Sequence, residues 1–382
     1  MASTVPINPE IIIWARGYHD LTQEQLAEKV GVHVNQVVKW EDDKTQPTFN
    51  QAKKLANALH LPFGYLFLTD IPELETPLPD LRTRHGRQPT VSANFRAVLY
   101  ETFDRYDWYR EYLEENEALN PLPFVGAFTP QDDPLAIAEN IRAVLSITTE
   151  TRDAVDTWIS YLKALSSKAE RVGILVMRSS VVGKGTNRKL SADEFQGFVI
   201  ADKDAPIIFI NGSDYVAAQI FTLAHELAHL WIGQGGIVDP DESEVSKPIQ
   251  DVESFCNSVA TEVLVPQKDF IRMWEQHGHS TARLAREYRV SEIVVLRRAF
   301  ELHLITDDEF FPRWQYLKNL AQASGGFGRS THYERIATRH STVFMDAVIK
   351  DIRTGGTLFR DGARLLSMTL PTFSRMIEGR EY

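Results

Sequence analysis

Apolar residues recur every three to four positions through residues 8–68, which is the spacing of short amphipathic helices. Thr22 can cap the first of the regular helices, and Gln25 stands three residues later at the capping-box position. The pattern predicts helices over 23–30, 34–40 and 49–59. We therefore expect residues 1–70 to form an all-α N-terminal domain with a helix-turn-helix.

Proline and charge interrupt this pattern in the next part of the chain. Residues 69–92 hold four prolines, which is typical of a linker, and residues 120–134 hold another four. Between them, residues 93–117 have helical spacing. We interpret residues 71–134 as a linker and a long helix.

The periodicity changes again after helical patterns at 135–145 and 151–170. Three short β-rich runs, at 172–177, 197–200 and 206–210, predict a small sheet. Residues 215–232 are helical and mostly apolar, and the remainder is largely helical. The predicted fold class is mainly α with a small β-sheet (α+β), with one domain over 135–320 and, after a glycine-rich break, a helical C-terminal region over 325–382.

Composition narrows the chemistry. The 382 residues contain one cysteine, Cys256, so a disulfide within the chain and a four-cysteine metal site are both excluded. The formal net charge is −11, so any contact with DNA must be local. The first residues do not read as a signal peptide, and no apolar stretch reaches the roughly 18 residues that span a bilayer. We expect a cytoplasmic protein without membrane contact.

The segment 221–231 carries the candidate chemistry. His225 and His229 stand four apart on a predicted helix, so their imidazoles share one face and can hold one metal ion. Glu226 lies beside them, where it can act as general base toward a water molecule. The flanking residues are apolar, which predicts a buried helix, and buried imidazoles and carboxylates are costly without a partner. A metal is the simplest partner.

A catalytic zinc needs a third protein ligand and an open position. Glu253 is the preferred candidate, and Asn257, one turn further along, can accept the ring N–H of a ligand histidine. The spacing leaves rivals open: Asp251, Glu262, Asp241, Glu242 and Glu244.

Other polar residues have simpler interpretations. Cys256 could be a redox switch on the metal, but a small buried residue is the usual fate of a lone cysteine. His277 and His279 could stabilise a developing oxyanion, although a solvated loop is simpler. Asn211 and Asp214 could touch substrate or could serve only as turn and cap residues.

The N-terminal helix-turn-helix would present Asn35, Gln36 and Lys39 to the major groove, with Gln23 meeting a phosphate. Residues 1–70 hold six Lys/Arg against eight Asp/Glu by count, which is unfavourable for DNA and leaves a protein-binding helical bundle as the alternative. A second such pattern at 281–303 is basic, and we expect its helices to complete the 135–320 domain instead.

These residues resemble the ImmA/IrrE family of metallopeptidases fused to an N-terminal XRE-type helix-turn-helix. The likeness covers most of the chain and rests on Trp40-Glu41, Pro47-Thr48 and the segments 78–83, 194–198, 205–211, 221–229, 253–257 and 264–266.

The resemblance implies a zincin-like domain with a single zinc on His225, His229 and Glu253, with Glu226 as general base; Mn²⁺ is another candidate metal. It implies a site-specific endopeptidase whose protein substrate is a DNA-bound repressor or toxin-antitoxin partner in a stress or mobile-element setting. DNA binding by the N-terminal domain and a homodimer would fit this layout. The alternative is a DNA-binding regulator or antitoxin-like protein whose metal site is structural or vestigial.

Overall fold

The computed structural model describes residues 4–18, 21–59, 61, 63–71, 92–185, 188–234, 237–238, 247–323 and 339–379. The chain forms two compact units. The first comprises residues 1–77 and 90–97, and the second comprises residues 78–89 and 98–382.

The N-terminal unit is a small helical bundle, as the apolar spacing predicts. Its helices are α1 (Pro9–Tyr18), α2 (Gln23–Val30), α3 (Val34–Glu41), α4 (Phe49–Ala58) and a short 3-10 helix (Phe63–Phe67). Thr22 accepts the backbone N–H of Gln25, whose side chain accepts the N–H of Thr22, so the predicted capping box is present. Gly31 ends α2 with a φ of 76°, a conformation that glycine adopts without strain.

An ion pair is built into the core of this unit. Trp40 and its apolar neighbours are fully buried, and the carboxylate of Glu41 lies beside them with 5% of its side chain exposed. Arg16 donates to Glu41 from Nε at 2.6 Å, and Gln23 donates its amide at 2.7 Å. A charge is tolerated at this depth because three hydrogen bonds satisfy it.

Helix α5 (Ala93–Glu115) is divided between the units, because residues 93–97 are assigned to the first unit and residues 98–115 to the second. The other helices of the second unit are α6 (Pro134–Val144), α7 (Thr149–Asp153), α8 (Trp158–Arg171), α9 (Val216–Trp231), α10 (Lys247–Leu264), α11 (Gln267–Gln276), α12 (Thr281–Tyr288), α13 (Glu292–Glu301), α14 (Asp307–Ala323), α15 (Thr342–Thr354), α16 (Phe359–Leu365) and α17 (Leu370–Glu378). The predicted α+β class is confirmed.

A mixed sheet lies against α9. Its strands are β1 (Leu175–Ser179), β2 (Gly197–Ile200), β3 (Ile207–Asn211) and β4 (Ile237–Val238), in the order β1-β3-β2-β4. β1 runs parallel to β3, and β2 pairs antiparallel with both β3 and β4. The three predicted runs match the first three strands to within three residues at each end. β2 and β3 are buried at every position, as expected for strands covered on both faces.

The proline-rich residues 120–134 differ from the linker interpretation. Phe124 stacks on Trp231 at 4.5 Å between ring centroids, and the Gly126 and Phe128 amides donate to carbonyls at the end of α9. Phe124 and Val125 belong to the main hydrophobic core. This segment contains turns rather than a regular helix or strand, and it packs as part of the second unit.

The C-terminal helices are also integrated into the second unit. The indole N–H of Trp108 on α5 donates to Thr357, and the Trp108 and Tyr109 rings pack against Phe344 of α15. The amide of Thr342 donates to Glu170, the penultimate residue of α8. Helices α12 and α13 contribute buried apolar residues to the main hydrophobic core, and the assignment of the second helix-turn-helix pattern to the 135–320 domain stays a prediction.

Candidate metal centre

Helix α9 carries two imidazoles into the interior of the second unit. Every residue from Thr222 to Trp231 is buried, and the apolar members of this segment are distributed around the helix. His225 and His229 are one turn apart, and their Nε2 atoms lie 2.9 Å from each other. Neither imidazole is more than 4% exposed.

Helix α10 supplies a carboxylate to the same point. Glu253 Oε2 lies 3.1 Å from His225 Nε2, and its Oε1 lies 3.3 Å from His229 Nε2. One ligand atom from each of the three side chains lies within 4.8 Å of the others. The structure thus places together two nitrogens and a carboxylate, the donor set typical of a catalytic zinc centre.

Asn257 orients one of the two histidines. Its Oδ1 lies 2.9 Å from His225 Nδ1. An amide oxygen can only accept, so Nδ1 carries the proton, and Nε2 presents its lone pair toward Glu253 and His229. Asn257 follows Glu253 by one helical turn, so both side chains leave the same face of α10.

The two carboxylates at this centre differ in their pKa. Burial raises the pKa of Glu253, but its interactions with the imidazoles of His225 and His229 outweigh burial and hold this pKa below its ordinary value. Burial, and then the charge of Glu253, raise the pKa of Glu226 well above its ordinary value. Glu226 therefore favours accepting a proton, while Glu253 favours remaining ionised.

The residues fit a divalent cation. Glu226 is fully buried, and neither of its oxygens has a hydrogen-bond partner among the described residues. A second carboxylate, Glu253, stands close enough to raise its pKa. Such an arrangement is costly unless positive charge joins it, and the three converging ligand atoms are where a cation would be held.

Comparisons with known families agree with this geometry. Residues 169–300 match the M78 peptidase family, described as the IrrE N-terminal-like domain, and residues 12–66 match a helix-turn-helix family. The chain joins a helix-turn-helix domain to an IrrE-like peptidase domain. The comparison with curated proteins gave no match.

The M78 family is a metallopeptidase family, so the matched segment indicates a peptidase domain with a divalent metal. Together the two domains indicate DNA binding and a protein substrate. The resemblance inferred from the motifs is confirmed. Among the described residues, no helix combines the length and apolar character needed to cross a membrane.

The rivals of Glu253 in the IrrE-like domain have other roles or are not described. Glu262 pairs with the Arg298 guanidinium and accepts the Gln267 amide, so it is a structural residue. Asp241, Glu242 and Glu244, and the side chain of Asp251, lie outside the described residues.

Gly197 is a residue that the sequence reasoning did not single out. A Cβ atom here would lie 2.6 Å from Thr222 Cγ2, 2.9 Å from Glu226 Oε1 and 2.9 Å from the Phe209 carbonyl oxygen. Strand β2 can approach α9 closely only because this position lacks a side chain. A glycine inside a predicted strand is a known signal of such close approach, and it was available in the sequence.

The remaining polar candidates hold the domain together. Both N–H groups of the Asn211 amide are donated to backbone carbonyls, and the side chain is fully buried. Asp214 accepts the Tyr215 amide at the start of α9. His279 stacks on Trp274, and neither it nor His277 belongs to the metal-ligand cluster.

Cys256 is buried beside the centre. Burial raises the pKa of its thiol, and the charges of Glu253 and Glu226 raise it further. A thiol that resists ionisation is a poor nucleophile, so the structure favours the packing role over the redox switch.

The helix-turn-helix domain presents its predicted DNA-contacting residues unequally. Asn35 and Lys39 of α3 are exposed. Gln36 is partly buried and donates its amide to Thr45 at 3.0 Å. Gln23 donates one of its two amide N–H groups to Glu41, which orients its side chain toward α3. Base contacts by Asn35 and Lys39 fit this surface best, and the four contacts stay predictions.

Proposed function

We propose that the chain is a zinc-dependent, site-specific endopeptidase that acts on a DNA-binding regulator. The observation that carries this is the convergence of His225, His229 and Glu253 with the buried carboxylate of Glu226 alongside. Three ligands leave a coordination position open, as catalytic centres require, whereas structural zinc usually has four protein ligands.

His225, His229 and Glu253 would hold the ion, which would supply a Lewis acid that polarises a peptide carbonyl and acidifies water. Asn257 keeps His225 in the tautomer that presents Nε2. Glu226 takes the proton of the attacking water at its carboxylate and delivers it to the leaving amine, so each cleavage consumes one water.

The donor set supports zinc as the resident metal, with Mn²⁺ as the second choice. Imidazole nitrogens suit zinc, whereas Mn²⁺ prefers more oxygen ligands. The helix-turn-helix domain supports a substrate found on DNA, such as a repressor or a toxin-antitoxin partner, because binding nearby raises the local concentration of both proteins.

Metal content and cleavage test this proposal separately. Elemental analysis should find about one zinc per chain in the wild type and a loss in His225→Ala and Glu253→Ala. Ser254→Ala is the matched control, because Ser254 is exposed and adjacent to Glu253. Glu226→Gln should keep the metal and lower cleavage of DNA-binding proteins encoded beside the gene by about 10²- to 10⁴-fold.

The alternative predicts a different result. A regulator with a structural or vestigial site would show DNA binding by the wild type with no cleavage, and Glu226→Gln would change nothing. Wild-type protein that takes up no zinc, or Glu226→Gln that cleaves as the wild type does, would contradict the peptidase mechanism.

A further inference from the structure

A cavity of about 160 Å³ lies in the second unit, and none of the three metal ligands lines it. Three parts of the chain form its walls: α5, the loop that follows β1, and α16 with the turn after it. The polar residues that line it are Glu101, Asp104, Arg105, Lys184, Arg364 and Ser367. Its volume equals about five water molecules at roughly 30 Å³ each, which suits a small polar ligand.

Arg105 forms the fixed wall of this cavity. Only 5% of its side chain is exposed. Its Nε donates to the Leu365 carbonyl at 3.0 Å, and Nη2 donates to Ser367 Oγ at 2.9 Å and to Glu101 at 3.2 Å. The guanidinium is therefore held rigidly at the surface of the cavity, as recognition of an oxyanion requires.

Arg339 adds a second, partly buried guanidinium behind the loop that follows β1. It donates to the carbonyls of Val181 and Gly183, which holds the loop that carries Lys184. Among the described residues, no carboxylate lies within ion-pair distance of Arg339. Burial lowers the pKa of both Arg105 and Arg339, as expected where a cation leaves water with too little compensating charge.

Positive charge exceeds negative charge around the cavity. Glu101 pairs with Arg105, and Asp104 pairs with Arg364 at 3.0 Å, so both lining carboxylates are engaged. Three cations and two carboxylates line the cavity, an excess of one positive charge, and Arg339 adds another behind the loop. This excess stands out in a chain whose formal net charge is −11, and a bound anion would balance it.

The lining can also donate hydrogen bonds to several oxygens at once. Ser367 Oγ accepts from Arg105, so its own O–H is left to donate. The ammonium of Lys184 and the guanidinium of Arg364 are exposed and can turn toward the cavity. Donors on three walls suit a tetrahedral anion better than a planar carboxylate.

We propose that this cavity binds a phosphate group, carried either by inorganic phosphate or by a small phosphorylated metabolite such as a nucleotide. The bound group bridges the C-terminal helices and the loop after β1. This gives the C-terminal region a ligand-binding role that does not depend on the peptidase mechanism.

Calorimetric titration of the full-length protein tests the proposal. The probes are inorganic phosphate and a nucleoside 5′-monophosphate, each at an ionic strength held constant with chloride. Lys184→Ala and Arg364→Ala remove exposed cations and leave the buried groups in place. Arg360→Ala is the matched control, because Arg360 is an exposed arginine of the same helix that does not line the cavity. Thermal unfolding checks that each variant is folded.

We expect saturable binding of a phosphate-bearing probe and a higher unfolding midpoint, because the ligand binds only the folded state. Affinity should fall about tenfold in each lining variant, as for loss of one charge-assisted contact, and stay within about twofold in Arg360→Ala. Tighter binding of inorganic phosphate identifies the free anion, and tighter binding of the nucleotide identifies an esterified phosphate. No saturable binding of either probe below about 10 mM, or equal affinity in all variants, overturns the proposal.

Discussion

Gly197→Ala tests how closely the sheet approaches the catalytic helix. The added methyl carbon would lie 2.6 Å from Thr222 Cγ2, 2.9 Å from Glu226 Oε1 and 2.9 Å from the Phe209 carbonyl oxygen. Favourable contacts between carbon atoms begin at about 3.5 Å, so the methyl group overlaps its neighbours by roughly 0.6 to 0.9 Å. Because the Phe209 carbonyl belongs to the backbone of β3, it cannot rotate out of the way as a side chain can. The backbone elements around Gly197, including β2 and α9, must therefore move apart.

The cost follows from this overlap. Adding a methylene to a packed core typically costs about 1 to 3 kcal/mol. For a unit of nearly 300 residues, 2 kcal/mol lowers the unfolding midpoint by about 3 °C. Because Glu226 is one of the displaced groups, a shift of about 1 Å would lower cleavage by roughly a hundredfold. None of the three atoms nearest the added methyl group belongs to a metal ligand, so zinc content should be unchanged.

Thermal unfolding, zinc content and cleavage should be measured on the same preparations. Gly17→Ala is the matched control, because a Cβ there meets no atom within 4 Å. The double variant Gly197→Ala/Thr222→Ser removes the nearest atom, Thr222 Cγ2. It should recover part of the stability without restoring cleavage, since the contact with Glu226 remains.

An unfolding midpoint of Gly197→Ala within about 1 °C of the wild type would refute the packing argument. Normal cleavage in a destabilised Gly197→Ala would show instead that Glu226 tolerates the shift, and would remove Gly197 as a positioning residue.

Three further perturbations probe other parts of the chain. Glu41→Ala should destabilise the helix-turn-helix unit by about 3 kcal/mol in urea unfolding, because Arg16 and Gln23 lose a buried partner. The control Lys44→Ala breaks an exposed pair with Asp42 and should cost under about 0.5 kcal/mol. Equal costs of the two substitutions would contradict this prediction. Burial raises the pKa of Tyr161 to about 12. The folded state therefore keeps this proton while the unfolded state loses it near pH 10, so stability falls as pH rises from 10 to 12, by about 1.4 kcal/mol at pH 11. The stability of Tyr161→Phe should not show this decrease between pH 10 and 12. Parallel stability profiles for the variant and the wild type would contradict the prediction. Thr357→Ala should lower the free energy of unfolding by about 1 to 2 kcal/mol, because it removes the hydrogen bonds with Trp108 and Asp351. Thr357→Ser keeps the hydroxyl and should restore this stability. If serine fails to do so, the hydroxyl is not the cause.

Local patterns alone determined much of this protein. The spacing of His225 and His229 on one helical face depends only on the 3.6-residue period, and the apolar flanks predicted burial. The capping box at Thr22 and the turn at Gly31 are likewise short-range, so both could be read from neighbouring residues. Runs of β-branched and aromatic residues predicted the first three strands.

Tertiary packing decided the rest. Sequence spacing ranked Glu253 first among several acids but could not measure its approach to His225, because 28 residues and another helix separate them. Packing also placed Phe124 and Val125 of the proline-rich segment in the core and paired Glu262 with Arg298. The cationic cavity depends on Arg105, Lys184 and Arg364, which are distant in sequence. Such contacts arise from burial of whole faces, which no local window of sequence contains.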